Sequence, residues 1–414
     1  MKIKLIALVL AAGLLLTTCN FIFSEYKGDG TITVSIGENS SVSKAYTTPS
    51  FPELSEIVVK ISKNAVVFAE GTIDGYGSRT FTVPAGSGYK VEVQATPAPM
   101  PDGNSFSFAK KFGGVKNNVS TGGGSVYIPL SISSTPIVVP DGSAFRIYNE
   151  FKEGTMPTEN LLISGVNTSS GYFFDQYGRF YYHISAQGGA LMRLKSPSSS
   201  PAEAVFDNAF SGSNLAYVPR SSCLYYTYTI PQSDIKTGKI DMADGSTTVL
   251  FDVDLSNFPQ VLDYTKVKGN AVLEDGTFYW IGFDNIGGSG WMNSSYVGKG
   301  TISENGIYKH GGMKYFVDIK ADVQDFKFIN GALFILCNKR YNYVTHAANA
   351  ALYALNSDLN PRYIISFDGV NENGLLNISG FNENSIYVSY NISGAIWVAD
   401  IDINTGTIKG RSKM

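Results

Sequence analysis

Side chains able to do chemistry are few in this sequence and widely spaced. His183, His310 and His346 are the only histidines, and no two are near enough to share a turn or a strand face. A zinc site needs three or four converging ligands, so neither a metal centre nor a cofactor is expected. The Gly-rich GFDNIGGSG (282–290) lacks the Lys-Ser/Thr of a phosphate loop and does not open a helix. DGVNENG (368–374) lacks the third-position Asp/Asn and the closing Glu of a calcium loop, so it reads as a plain turn. HExxH, GxSxG and CxxC do not occur. Recognition chemistry is better supplied. A long segment from Phe283 to Asn305 carries Trp291 and Tyr296, and another from Asn338 to Ala350 carries Lys339, Arg340, Tyr341, Tyr343 and His346. Trp, Tyr and Arg dominate binding hot spots. We therefore take Trp291, Tyr296, Arg340, Tyr341, Tyr343 and His346 as candidate ligand-binding residues, facing a protein or glycan partner.

The elements that position these segments repeat. Aligned on a turn residue, the chain gives GRFYYHI (from 178), SCLYYTY (222), GTFYWIG (276), GALFILC (331) and NSIYVSY (384). Two places after each anchor stands an apolar residue: Phe180, Leu224, Phe278, Leu333 or Ile386. An aromatic follows every time: Tyr181, Tyr225, Tyr279, Phe334, Tyr387. A short strand precedes most anchors, and two more follow, as in ALMRL with AVFD, or ALYAL with YIISFD. In the unit anchored at Gly276, GIYKH and YFVDI are assigned as the third and fourth strands. Four antiparallel strands recurring about five times resemble a β-propeller. The resemblance covers residues 143–414 and rests on pattern, since neither WD nor kelch signatures occur. It implies six unequal blades, SAFRIYN and ENLLISG contributing to the sixth, with five as the alternative. It also places the loops between second and third strands, including both aromatic segments, on the face that usually carries ligands. Asp175, Glu274 and Asp275 fall in turns on the opposite face, which leaves Asp284 as the acid placed for catalysis. Glycoside hydrolysis requires two facing carboxylates. The reading is thus a binding or scaffold module, with a propeller hydrolase acting on glycans or lactones as the alternative.

Upstream, TITVSI, IVVKI, FTVPAGSGYKVEV and VYIPLSI alternate at period two and are separated by Gly/Pro turns, the pattern of half-buried strands. The FTVPAG-YKVEV hairpin and the late GGGSVYIPL strand loosely resemble an immunoglobulin-like or transthyretin-like sandwich, over residues 31–135. STPIVVPDG (134–142) reads as the connector between the two domains.

The N-terminus reads as an address. Lys2 and Lys4 precede the apolar LIALVLAAGLLL, too short for a spanning helix of about 20 residues. LTTCN (16–20) resembles the lipobox of bacterial lipoproteins, although Thr18 stands where the strict pattern has Gly, Ala or Ser. The resemblance implies a signal peptide over 1–18, lipid (diacylglyceryl, with palmitate-type acylation) on Cys19, and a tether over 19–30. The partner there is a membrane, and the location the bacterial cell envelope, on the periplasmic or surface side of an outer membrane. Cys223 and Cys337 lie in apolar runs and read as buried thiols. A net charge of −3 with 16% charged residues argues against nucleic acid. Gly, β-branched and aromatic residues, with no long 3.6-residue period after the signal, specify an all-β chain.

Overall fold

A computed structural model describes residues 28–36, 54–75, 77–97, 112–128, 130–166, 171–175, 179–184, 190–194, 203–207, 212–218, 223–229, 235–242, 247–251, 266–273, 276–283, 294–302, 307–320, 323–342, 347–367, 369–370, 374 and 377–414. Every regular element among them is a strand, so the chain is all-β. Two compact units are present.

The first unit contains β1 (Asp29–Ile36), β2 (Leu54–Lys63), β3 (Val66–Ile73), β4 (Gly77–Pro84), β5 (Tyr89–Pro97), β6 (Phe112–Val119), β7 (Val126–Tyr127) and β8 (Ser131–Ile132). They form one sheet of order β4-β1-β7 and another of order β3-β2-β5-β6-β8. Alternation sets the core: Ile32, Val34 and Ile36 are buried on β1, Ile57, Val59 and Ile61 on β2, and Val91 and Val93 on β5. Each of the two sheets thus carries one buried face. The boundary between the two units falls at Leu130–Ser131, at the start of β8.

The second unit opens with β9 (Ile137–Pro140), β10 (Ala144–Tyr148), β11 (Gly154–Thr155) and β12 (Leu161–Ser164). SAFRIYN and ENLLISG supply β10 and β12, which with β9 make a three-stranded sheet. The connector-like IVVP is β9 itself, buried at all four positions. Four-stranded meanders follow. The first is β13 (Tyr172–Phe174), β14 (Phe180–Ile184), β15 (Ala190–Arg193) and β16 (Glu203–Asp207). The second is β17 (Gly212–Val218), β18 (Cys223–Thr229), β19 (Ile235–Asp241) and β20 (Thr247–Phe251). The third is β21 (Lys266–Val272), β22 (Thr277–Phe283), β23 (Ser294–Ile302) and β24 (Tyr308–Lys320). The fourth is β25 (Val323–Ile329), β26 (Ala332–Asn342), β27 (Ala347–Leu355) and β28 (Pro361–Phe367), joined to the third through the pairing of Ile319 with Arg340. The last is β29 (Asn377–Phe381), β30 (Ser385–Ile392), β31 (Ala395–Asp402) and β32 (Ile408–Lys413).

These sheets form the propeller-like ring that the repeat predicts. The first strands stand side by side in chain order, β13 by β17, β17 by β21, β21 by β25, β25 by β29, and β29 by β9. Apolar side chains fill each junction. Phe173, Leu191 and Leu224 join the first two meanders, and Tyr225, Phe278 and Trp280 join the second to the third. Tyr279, Ile335 and Tyr353 continue the series, followed by Leu352, Ile386 and Ala399. The three-stranded sheet closes it. Ile137 and Val139 pack on Tyr387 and Val398 of the last meander, while Val138 and Phe145 pack on Phe174 and Phe180 of the first. The five repeat positions Phe180, Leu224, Phe278, Leu333 and Ile386 are all 0% exposed. Each is worth about 1.5–3 kcal/mol on burial.

Two details depart from a uniform repeat. Thr135 N–H donates to Phe381 O at 2.9 Å, whereas Val138 O and Ile378 O both lie 3.4 Å from Tyr172 Oη. The pairing of early with late residues means that β9 runs antiparallel to β29. Further out, β11 adds to β32 as a parallel strand, tying the start of the ring to its end.

Candidate functional site

The polar cluster at the ring axis is built by the starts of first strands. Successive side chains of a strand alternate faces, so Asp325 and Lys327 on β25 project together while Phe326 between them is buried. Asp325 Oδ1 accepts the Phe326 N–H at 2.9 Å, and Oδ2 accepts the Ile378 N–H at 2.9 Å, with Lys327 Nζ 3.2 Å away. Lys327 Nζ also donates to Ile378 O at 2.8 Å and stands 5.1 Å over the Tyr172 ring. Asn377 Nδ2 donates to Tyr172 Oη at 2.7 Å. Because β13 and β25 lie three steps apart in the ring, the Lys327–Tyr172 contact crosses the axis. Burial, then the Asp325 charge, pushes the Tyr172 phenol well above its usual range, with the Asn377 hydrogen bond pulling the other way.

This arrangement fastens strands together. The Asp325 carboxylate is compensated by an ammonium and backbone N–H groups, and among the described residues no second carboxylate is bonded to it. The sequence reading placed Asp284 at the ligand face and overlooked Asp325 and Asn377. A detectable signal existed in their positions at first-strand starts, but polar residues at strand ends ordinarily read as turn formers. Asp284 lies outside the described residues.

Asp175 behaves as the turn assignment implies. It is 2% exposed and accepts the Arg179 N–H at 2.9 Å, Arg179 Nε at 2.5 Å and the Tyr181 hydroxyl at 3.1 Å. Burial and the Asp175 charge hold the Tyr181 phenol above its usual range. Another polar chain runs from Trp280 Nε1, which donates to Tyr308 Oη at 2.8 Å, on to His310 Nδ1 3.2 Å from the same oxygen. Burial pushes Tyr308 up to about 12 and lowers His310.

The candidate recognition residues are arranged differently from the expectation. The segment 283–305 is not a single loop, because NSSYVGKGTI contains β23, the third strand of its sheet. Tyr296 is therefore a strand residue, 9% exposed and 4.9 Å from the Tyr315 ring, rather than a loop-borne contact. GIYKH and YFVDI, taken as third and fourth strands, merge into the thirteen-residue β24. Glycines disguised β23. A Cβ on Gly298 would lie 2.2 Å from Trp280, and one on Gly300 2.3 Å from Lys309 O and 2.4 Å from the Tyr308 ring, so both glycines make room for neighbours. The second segment is a hairpin in which Arg340 pairs with Asn349 and Tyr341 with Ala348. Trp291, Tyr343 and His346 lie outside the described residues, as does Cys19. Cys223 and Cys337 are both buried, as the apolar runs imply.

No family model and no curated protein matches this chain. Among solved structures it is similar to TolB from Acinetobacter baumannii, with 9% identity and a TM-score of 0.40 over 79% of this chain and 80% of that one. The β-propeller domain of Nup133 from Vanderwaltozyma polyspora gives 10% identity and a TM-score of 0.35 over 75% and 91%. An α-L-arabinofuranosidase from Clostridium thermocellum gives 12% and 0.36 over 68% and 94%. Likenesses this distant add nothing to the strand-level description above.

Proposed function

We propose that the protein is a lipid-anchored cell-envelope protein whose propeller-like unit serves as a binding or scaffold module. The observation that carries this reading is the axial crossbar. Where a propeller hydrolase would need two facing acids, Lys327, Tyr172 and Asn377 join a single compensated carboxylate across three first strands. Recognition then falls to the faces of the ring. One part of that surface is the hairpin bearing Arg340 and Tyr341, with Tyr343 and His346 next in sequence, and another is the segment bearing Trp291. The anchor follows from LTTCN, with Cys19 as the lipidated residue.

Metabolic labelling with an alkyne palmitate analogue tests the anchor. Wild type should be labelled and remain with membranes, whereas Cys19→Ser should be unlabelled and extractable. A photo-cross-linking residue at Tyr341 tests the module, and discrete adducts on intact cells are expected. Labelled protein that forms no adduct would argue against a recognition role for that hairpin. Hydrolysis of a glycan or lactone panel, abolished by Asp325→Asn, would overturn the binding reading itself.

A further inference from the structure

A cleft of about 250 Å³ opens where the three-stranded sheet meets the last meander. Its apolar walls are Pro136, Phe381 and Tyr387, and its polar groups come from Thr135, Asn149 and Asn382. We propose that it holds one ring of a neutral glycan, an assignment that rests on the binding-module reading and narrows it to a ligand class.

The walls are held in place before any ligand arrives. Phe151 stacks on Tyr387 at 5.7 Å and 24°. Asn382 is fixed by its Oδ1, which accepts the Asn384 N–H at 2.9 Å, and by its Nδ2, which donates to Tyr387 Oη at 2.9 Å. Thr135 Oγ1 accepts the Phe381 N–H at 3.3 Å, which leaves its own proton to offer. Tyr387 Oη accepts from Asn382 and is also hydrogen-bonded to Ser385, which fixes the hydroxyl at the cleft wall. Asn149 is exposed and adds a carboxamide, both donor and acceptor. Fixed aromatic faces beside such groups match a sugar ring, which presents C–H on its faces and hydroxyls on its rim.

The same residues disfavour other ligands. Among the described residues no charged side chain lines the cleft, so a charged ligand would lose water without gaining a partner. An extended peptide recognises free strand edges, but here the Thr135 N–H is spent on Phe381 O and the Phe381 N–H on Thr135 Oγ1. Drug-sized ligands occupy pockets of roughly 300–1,000 Å³, which this cleft falls short of.

The test is titration calorimetry on the full-length chain in a sugar-free detergent, with maltotriose, chitobiose and xylobiose as probes. Digalacturonate and the peptide Gly-Phe-Gly are the comparators. At least one neutral sugar should saturate the protein, and Asn149→Ala and Tyr387→Phe should each weaken it about 3- to 10-fold, the loss of one neutral hydrogen bond. Tyr387→Phe keeps the ring and its stack on Phe151, so a loss there reads the hydroxyl. Silence from all three sugars, equal binding by both variants, or tighter binding of digalacturonate or the peptide would overturn the assignment. Cross-linked adducts at Tyr341 without sugar binding would sink the glycan assignment alone. Sugar binding without adducts would instead count only against the hairpin.

Discussion

Lys327 is held by two acceptors and a ring, and its removal leaves Asp325 with backbone partners alone. Asp325 is 8% exposed, so the bare charge cannot be rehydrated cheaply. Lys327→Met should cost about 3 kcal/mol, the low end for breaking a buried pair, because the Lys327 side chain is 28% exposed. Asp325→Asn in the same background should recover part of the loss, since the charge goes and an acceptor remains. Urea unfolding at neutral pH measures both; equal stability of Lys327→Met and wild type would remove the crossbar from the account. Gly298 offers a steric counterpart. An alanine there meets the Trp280 ring, and overpacking of this kind costs about 1–3 kcal/mol. Trp280→Phe gives up the hydrogen bond to Tyr308 but frees the space. The double variant should therefore be more stable than the sum of the single losses predicts, by about 0.5–3 kcal/mol in a double-mutant cycle. Strict additivity would show that the two residues do not compete for one volume.

At the scale of elements, what could be read from the sequence follows from which strands advertise themselves. Second strands were legible because burial on both faces forces apolar and aromatic residues at fixed offsets, and all five appear where the anchors place them. β23 was hidden because its glycines serve the rings of neighbouring strands, and β9 because its flanking prolines mimic a linker. The axial residues were obscure for another reason: Asp325 and Lys327 on β25 and Asn377 on β29 are far apart in sequence and are brought together only by the ring. The β11–β32 pairing was equally invisible, being two residues long. It gives a test of its own. Gly154 has φ of +89° with nothing within 4 Å of an added Cβ, so Gly154→Ala strains only the backbone, by about 1–2 kcal/mol. Gly142, φ +91° and equally open, supplies the same strain in the β9–β10 turn. Hydrogen exchange should speed up at 410–413 in Gly154→Ala and stay unchanged there in Gly142→Ala. Matching profiles at β32 would mean that β11 does not protect that edge.

For the whole molecule, the question is where the ring begins. Read from the sequence, the propeller starts at Ser143, with the preceding residues as connector. The packing argues for Ser134. Thr135 is hydrogen-bonded to Phe381, and Ile137, Val138 and Val139 are 0–2% exposed between the last and first meanders. Removing these three side chains forfeits about 6 kcal/mol of burial, at about 2 kcal/mol each. That is comparable with the net stability of an ordinary domain, about 5–15 kcal/mol. It would also bare the Phe145 ring and the inner edge of β10, a hydrophobic strand edge open to pairing with another chain. A chain of residues 134–414 should therefore fold to a monomer with a cooperative thermal transition and resist limited proteolysis. One of 143–414 should aggregate or melt at least about 10 °C lower, since 1 kcal/mol shifts the midpoint by about 2–4 °C in a domain of some 150–250 residues. Gel filtration, thermal circular dichroism and trypsin digestion on both chains decide it. If 143–414 matched the longer chain in all three, β9 would be a linker after all, and the ring would close by direct contact of the last meander with β10.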